Sequence, residues 1–147
     1  MYATRIAADP VTVAAVEGFP PEIDALADCG RAGHRFLRAA WYSPAASAGA
    51  RTLLVRRRAQ GAPIAAIPTI PFGPAIAGAR KVPGPYWPFR SVPIAPDCDV
   101  LELAEALEHP AARRLGPAWR LGPAREGDHA TALLIAAARL ARWEVLA

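Results

Sequence analysis

The chain has 147 residues, 53% of them hydrophobic and 20% charged, enough apolar material to bury roughly two-thirds of the unfolded surface as a single domain spanning residues 1–147. Disorder, a collagen-like helix and a disulfide-stapled miniprotein are excluded. Seventeen Lys+Arg against 13 Asp+Glu give a net charge of +4, basic but short of the dense charge of a dedicated nucleic-acid binder.

Lys81 is the only lysine and asparagine is absent, so the arginine count reflects compositional bias before function. Cys29 and Cys98 are too few for a metal site and too far apart for a CxxC motif, and free thiols predict a reducing, cytoplasmic location. Arg5 and Asp9 interrupt the start of the chain, which lacks a signal-peptide pattern. The uncharged stretch from Ala59 to Ala79 is long enough for a bilayer, but Pro63, Pro68, Pro71 and Pro74 would break a helix there, so no membrane span is expected.

In chain order, a strand is predicted within Thr4 to Val16, around the alternating Val11-Thr12-Val13. Pro20-Pro21 stops it, and Pro21 opens a helix over Glu22 to Asp28 that Gly30 closes. A second helix is predicted from about Arg31 to Ser43-Pro44, with Phe36, Leu37, Ala40 and Trp41 as its apolar stripe. Thr52 to Val55 and Ile64 to Ile67, around a loop containing Gly61, predict an antiparallel hairpin. Arg56, Arg57 and Arg58 read as a solvated strand end; without interleaved aromatics they do not argue for nucleic acid as a partner.

Nine of the sixteen prolines fall between Pro63 and Pro96, which predicts an edge strand followed by a long ordered loop, because each proline removes a ladder donor. Within that loop, Pro85-Tyr86-Trp87-Pro88-Phe89-Arg90-Ser91 packs three aromatics and an arginine into seven positions, with Val82, Val92 and Ile94 to anchor it. Asp99 and Glu102 form a capping-box pattern for a helix whose buried stripe is Val100, Leu103, Ala104 and Leu107, ending at His109-Pro110. A short strand is predicted at Trp119 to Leu121. A last helix follows, capped by Asp128, with Ala130, Leu133, Leu134, Ala137, Leu140 and Ala141 on one face. Trp143 to Leu146 reads as the opening of a further strand.

Ser43, Ser47 and Ser91 are the only serines and none stands in GxSxG, so nucleophilic hydrolysis is not indicated. His34, His109 and His129 lack metal-ligand spacing, and no metal is expected; the three read as solvated or helix-end residues. Arg113-Arg114-Leu115-Gly116-Pro117-Ala118 matches a loose acyl-CoA loop pattern, R-x-x-G-x-A. It follows a helix and precedes a strand, and Pro117 removes a needed donor, so the match is set aside. The remaining candidates are Tyr86, Trp87 and Phe89 as an apolar wall, Arg90 as an anion fork and Ser91 beside them. The same residues could instead cap the core beneath an edge strand, with Arg90 pairing locally.

From Phe36-Leu37 and Trp41, through Leu53-Leu54-Val55, Ile64 to Pro68 and Pro85 to Ser91, to the last helix and Trp143-Glu144-Val145-Leu146, the chain resembles the first half of bacterial GNAT-superfamily N-acyltransferases of the FemAB-like kind. The resemblance implies an α/β (mixed α+β) fold, with a mixed, largely antiparallel sheet flanked by helices and incomplete at its C-terminal end. It also implies transfer of an acyl group from acyl-CoA, as co-substrate, or another activated donor to a small-molecule or peptide amine. This half would then supply scaffold and an acceptor-side pocket at Tyr86, Trp87, Phe89, Arg90 and Ser91. The rival reading is a non-catalytic binding or oligomerisation module, with a second copy or a missing C-terminal half pairing along the terminal strand.

Overall fold

The computed structural model describes residues 10–58, 60–86 and 88–146, so the Thr4 to Asp9 part of the first predicted strand and Trp87 lie outside the described residues. The fold is mixed α/β. Among the described residues five strands, β1 (Val11–Glu17), β2 (Arg51–Arg57), β3 (Pro63–Pro71), β4 (Arg80–Lys81) and β5 (Trp119–Arg120), form one sheet in the order β1-β2-β3-β4-β5. The first three pairings are antiparallel, and β4 and β5 run parallel. Among the described residues five helices accompany them: α1 (Glu22–Cys29), α2 (Ala39–Tyr42), α3 (Val100–Glu108), α4 (Pro110–Leu115) and α5 (His129–Leu140). No helix among the described residues is long and apolar enough to cross a membrane.

The predicted hairpin is the centre of the sheet: Leu53 faces Ile67 and Val55 faces Ala65 across β2 and β3, with a register shift after Val55. Consecutive residues Thr52 to Val55 and Ile64 to Thr69 are buried, and successive residues of a strand point to opposite faces, so both faces of the sheet are covered. Helix α1 packs on β3, α3 and α4 pack on β1, and α3 packs on α5. Ile23, Leu26, Leu53, Ile67, Leu103 and Leu134 join one core.

Four expectations are corrected. Contrary to the edge position predicted for the proline-rich stretch, β3 lies inside the sheet order and carries Pro63 and Pro68. The Ala66 amide donates to Pro93 O at 3.1 Å, on the side away from β2. Pro68, two residues on, turns its nitrogen to that same side, so Pro68 removes no donor from the β2–β3 ladder.

The single helix predicted from Arg31 is instead a 3-10 turn at Ala32–His34, the short α2, and a 3-10 turn at Ser43–Ala45. Arg38 is extended there, and Asp24 of α1 accepts the Ala39 amide at 2.8 Å, so α2 starts afresh on a carboxylate borrowed from another helix. Of the predicted stripe, Leu37 is buried, whereas Phe36 and Ala40 are exposed.

His109-Pro110 ends α3 as expected but also begins α4, which the sequence reading lacked: Pro110 occupies the first turn and His109 Nδ1 accepts the Ala111 amide at 3.1 Å.

Trp143 to Leu146 form no strand. Arg142 takes a left-handed conformation (φ 61°), the Arg142 amide donates to Arg139 O and the Trp143 amide to Ala138 O, so the chain turns back on itself. Trp143 then donates Nε1–H to Leu107 O at 3.1 Å and packs against Trp119 and the Arg113 guanidinium. The strand on which pairing was expected is therefore not formed among the described residues.

The capping box of α3 and the Asp128 cap of α5 are as expected. The predicted α5 stripe is buried at Ala130, Leu134, Ala137 and Ala141 and exposed at Leu140.

Candidate functional site

Because β4 and β5 are parallel, the chain leaves both strands on the same side of the sheet, the usual place for a site in sheets with parallel strands. The segment after β4 is the aromatic-proline loop, and the segment after β5 runs to the cap of α5. The Arg90 amide ties them together by donating to Pro123 O at 3.3 Å. The 3-10 turn after α1 supplies a third wall. Together they enclose a cleft of about 360 Å³ whose lining includes Arg31, His34, Ser91, Arg125, Glu126 and Asp128.

At its base lies a hydrogen-bonded cluster. His34 Nε2 meets Asp128 Oδ1 at 2.7 Å. Ser91 Oγ donates to Asp128 Oδ2 at 2.7 Å, and the same oxygen accepts the Thr131 amide and hydroxyl, which makes Asp128 both the hub of the cleft and the cap of α5. Behind it, buried Tyr42 donates its hydroxyl to Ser91 O at 2.7 Å.

Burial opposes ionisation of Asp128, but hydrogen bonds from His34, Thr131 and Ser91 outweigh it and hold the carboxyl well below the usual carboxylate range. Burial, and then the Asp128 charge, push the Tyr42 phenol far above its usual value. Asp128 is therefore an ionised acceptor at neutral pH, and His34 Nε2 carries the proton between them. In the neutral ring the lone pair is then on Nδ1, which makes no hydrogen bond among the described residues. The order of contacts differs from a nucleophilic triad: the serine bonds the carboxylate, not the imidazole.

The residues singled out from the sequence divide here. Ser91 and Phe89 line the cleft. Tyr86, 68% exposed, and Phe89 join Phe36 and Trp41 in a shallow apolar shelf of about 390 Å³, and Phe36 and Phe89, packed edge to face with centroids 6.0 Å apart, border both hollows. Arg90 is not in the cleft; its Nε donates to Gly84 O at 3.1 Å, the local pairing that was the alternative for it. Trp87 falls outside the described residues. The loop is anchored as its flanks suggested, with Val82, Val92 and Ile94 buried.

Sequence reasoning missed His34 and the second role of Asp128. Asp128 was legible as a cap, but no spacing rule joins positions 34, 91 and 128. Arg56 donates to Glu22 at 2.8 Å, and Arg57 to Asp97 at 2.7 Å and to Glu102 at 2.5 Å, so carboxylates neutralise two members of the basic triplet. The string Arg113 to Ala118 ends α4 and leads into β5, the context for which it was set aside. Among the described residues no group of three or more His, Cys, Asp or Glu is placed to hold a metal. The chain matches no protein-family model, and comparison with curated proteins and with solved structures likewise gives no match.

Proposed function

We propose that this chain is part of a GNAT-type N-acyltransferase of the FemAB-like kind, and that the cleft around His34 and Asp128 is its amine-acceptor pocket. The observation that carries this reading is the His34–Asp128 pair, an imidazole oriented by an ionised carboxylate in a cleft walled by the aromatic-proline loop. The mixed, largely antiparallel sheet agrees with what the resemblance implies.

In this reading the amine attacks the acyl carbonyl of the thioester donor directly. The carbon–nitrogen bond forms, the carbon–sulfur bond breaks, the amine proton passes to His34 Nδ1, and the thiolate leaves and is protonated from solvent. Asp128 is a positioning residue: it fixes the ring and its tautomer. The shelf of Phe36, Trp41, Tyr86 and Phe89 receives the apolar part of the acceptor or acyl group. Acyl-CoA is the donor that the resemblance implies.

The test incubates the purified chain with acyl-CoA thioesters of graded length and a panel of amines, reading thiol release and product mass. His34→Ala should lower turnover by about 100-fold or more, the range of a general base. Ser91→Ala should lower it by less than about tenfold, a structural loss only, and intact mass should show no acyl-enzyme. Turnover that survives His34→Ala refutes the assignment of the base. Saturable binding of amine or thioester without turnover would instead support the non-catalytic module.

A further inference from the structure

A second pocket, sharing no lining residue with the cleft, lies where β1, the start of β2, β4 and α4 meet. It measures about 370 Å³ and is lined by Ala15, Arg51, Arg80, Ala111, Arg114 and Leu115. Arg80 is the unusual member. It is only 8% exposed, yet every acceptor it uses is neutral: Thr69 Oγ1 at 2.7 Å from Nε, and Gly49 O at 2.5 Å and Thr69 O at 3.3 Å from Nη2. No carboxylate lies within 4.0 Å of it among the described residues, and Nη1 makes no hydrogen bond there.

Burying a guanidinium without a counter-charge is costly, and hydrogen bonds to carbonyls satisfy its donors but not its charge. The packing nevertheless holds it in place. A Cβ on Gly116 would stand 2.7 Å from Gly78 O and 2.9 Å from Arg80 Cγ, so the stem of Arg80 is pressed against the chain that follows α4. Burial, and next the nearby Arg51, press the Arg80 guanidinium's affinity for its proton downward.

Charge arithmetic sets the ligand class. Arg51, Arg80 and Arg114 bring three positive charges to the pocket. Among the described residues, the one carboxylate on them is Glu17, an exposed side chain 3.7 Å from Arg51. Three minus one leaves an excess of two, which matches the charge of about −2 on a phosphomonoester near neutral pH, whereas a carboxylate supplies half of it. Guanidinium forks also suit the several oxygens of a phosphate group. The volume exceeds that of phosphate itself and leaves room for the group that bears it.

We propose that this pocket binds a phosphate-bearing small molecule, with Arg80 as its fixed floor and Arg51 and Arg114 closing on the phosphate from the rim. The site does not depend on the acyltransferase reading.

The test titrates the chain with inorganic phosphate and with phenyl phosphate at low ionic strength, by calorimetry and by broadening of the phosphorus resonance, with acetate and chloride as comparators. Saturable 1:1 binding of the phosphates is expected, tighter above about pH 6 where the dianion forms, and at least tenfold weaker in Arg51→Ser and in Arg114→Ser. Phenyl phosphate binding more tightly than inorganic phosphate would show that the attached group is read as well; equal binding would restrict the site to the phosphate itself. Arg80→Gln should abolish binding; should that variant fail to fold, the two rim variants decide. His34→Ala should bind phosphate unchanged, which separates this proposal from the previous one. Absence of saturable binding, equal binding of acetate, or unchanged affinity in both rim variants would overturn it and leave Arg80 as a tie between β3 and the Gly49 carbonyl.

Discussion

Replacing Asp128 with alanine removes, in one step, the cap of α5 and the acceptor for Ser91, His34 and Thr131. Loss of the cap costs about 1 kcal/mol. Ser91 is buried and loses a bond to a charged acceptor, worth about 2 kcal/mol. His34 can turn its nitrogen to water and adds little. The sum is about 3 kcal/mol, which for a domain of this size corresponds to a fall in Tm of about 6–12 °C. Asp128→Asn keeps a capping oxygen but loses the charge, so its cost should be roughly half.

The pH dependence follows from the same contacts. Folding depresses the Asp128 carboxyl, so its contribution is complete above the unfolded carboxylate range near pH 4 and is lost as pH falls toward the folded value. The gap between wild type and Asp128→Asn should be flat from about pH 5 to 8 and shrink below about pH 4. Urea unfolding at several pH values reads both effects, at constant m. A Tm drop under about 2 °C for Asp128→Ala at pH 7, or a gap that widens in acid, would refute the account of Asp128 as a charged hub.

Three further outcomes are expected. Gly116→Ala should cost about 1–3 kcal/mol, because its Cβ meets Gly78 O and the Arg80 stem, whereas Gly33→Ala, with open space around it, should be neutral or slightly stabilising; thermal melts of the pair check this. Arg142→Gly should stabilise by about 0.5–1 kcal/mol, since glycine is at ease in the left-handed position that ends α5, and a lower Tm would contradict the turn described there. Burial, then Glu102, push the Cys98 thiol up to about 12, while Cys29 is exposed; a disulfide reagent at pH 8 should label one thiol promptly and the second only on unfolding.

Local patterns in the sequence were enough to place the elements whose signals are local. The β2–β3 hairpin follows from two apolar runs around a glycine loop, α3 from Asp99 and Glu102 three residues apart, and α5 from its cap and the 3.6-residue spacing of Ala130, Leu134 and Ala137. The aromatic-proline loop was likewise visible as a segment that had to be anchored, and Phe89 and Ser91 from it do reach the cleft.

What required the tertiary structure was set by contacts distant in sequence. Asp24 of α1 starts α2, so a stripe that reads as one helix is broken in two. The direction in which Ala66 and Pro68 turn their nitrogens lets a proline sit inside the sheet. The cleft depends on β4 and β5 being parallel, a pairing of residues 80–81 with 119–120 that no local pattern encodes. His34, Ser91 and Asp128 lie on three separate segments and acquire a common chemistry only because those segments converge, and the same convergence of distant strands and α4 leaves Arg80 buried without a counter-charge. Periodicity and caps act within a few residues, so composition and spacing determine the elements; charge and hydrogen-bond partners act through space, so only the folded arrangement decides which side chains share a site.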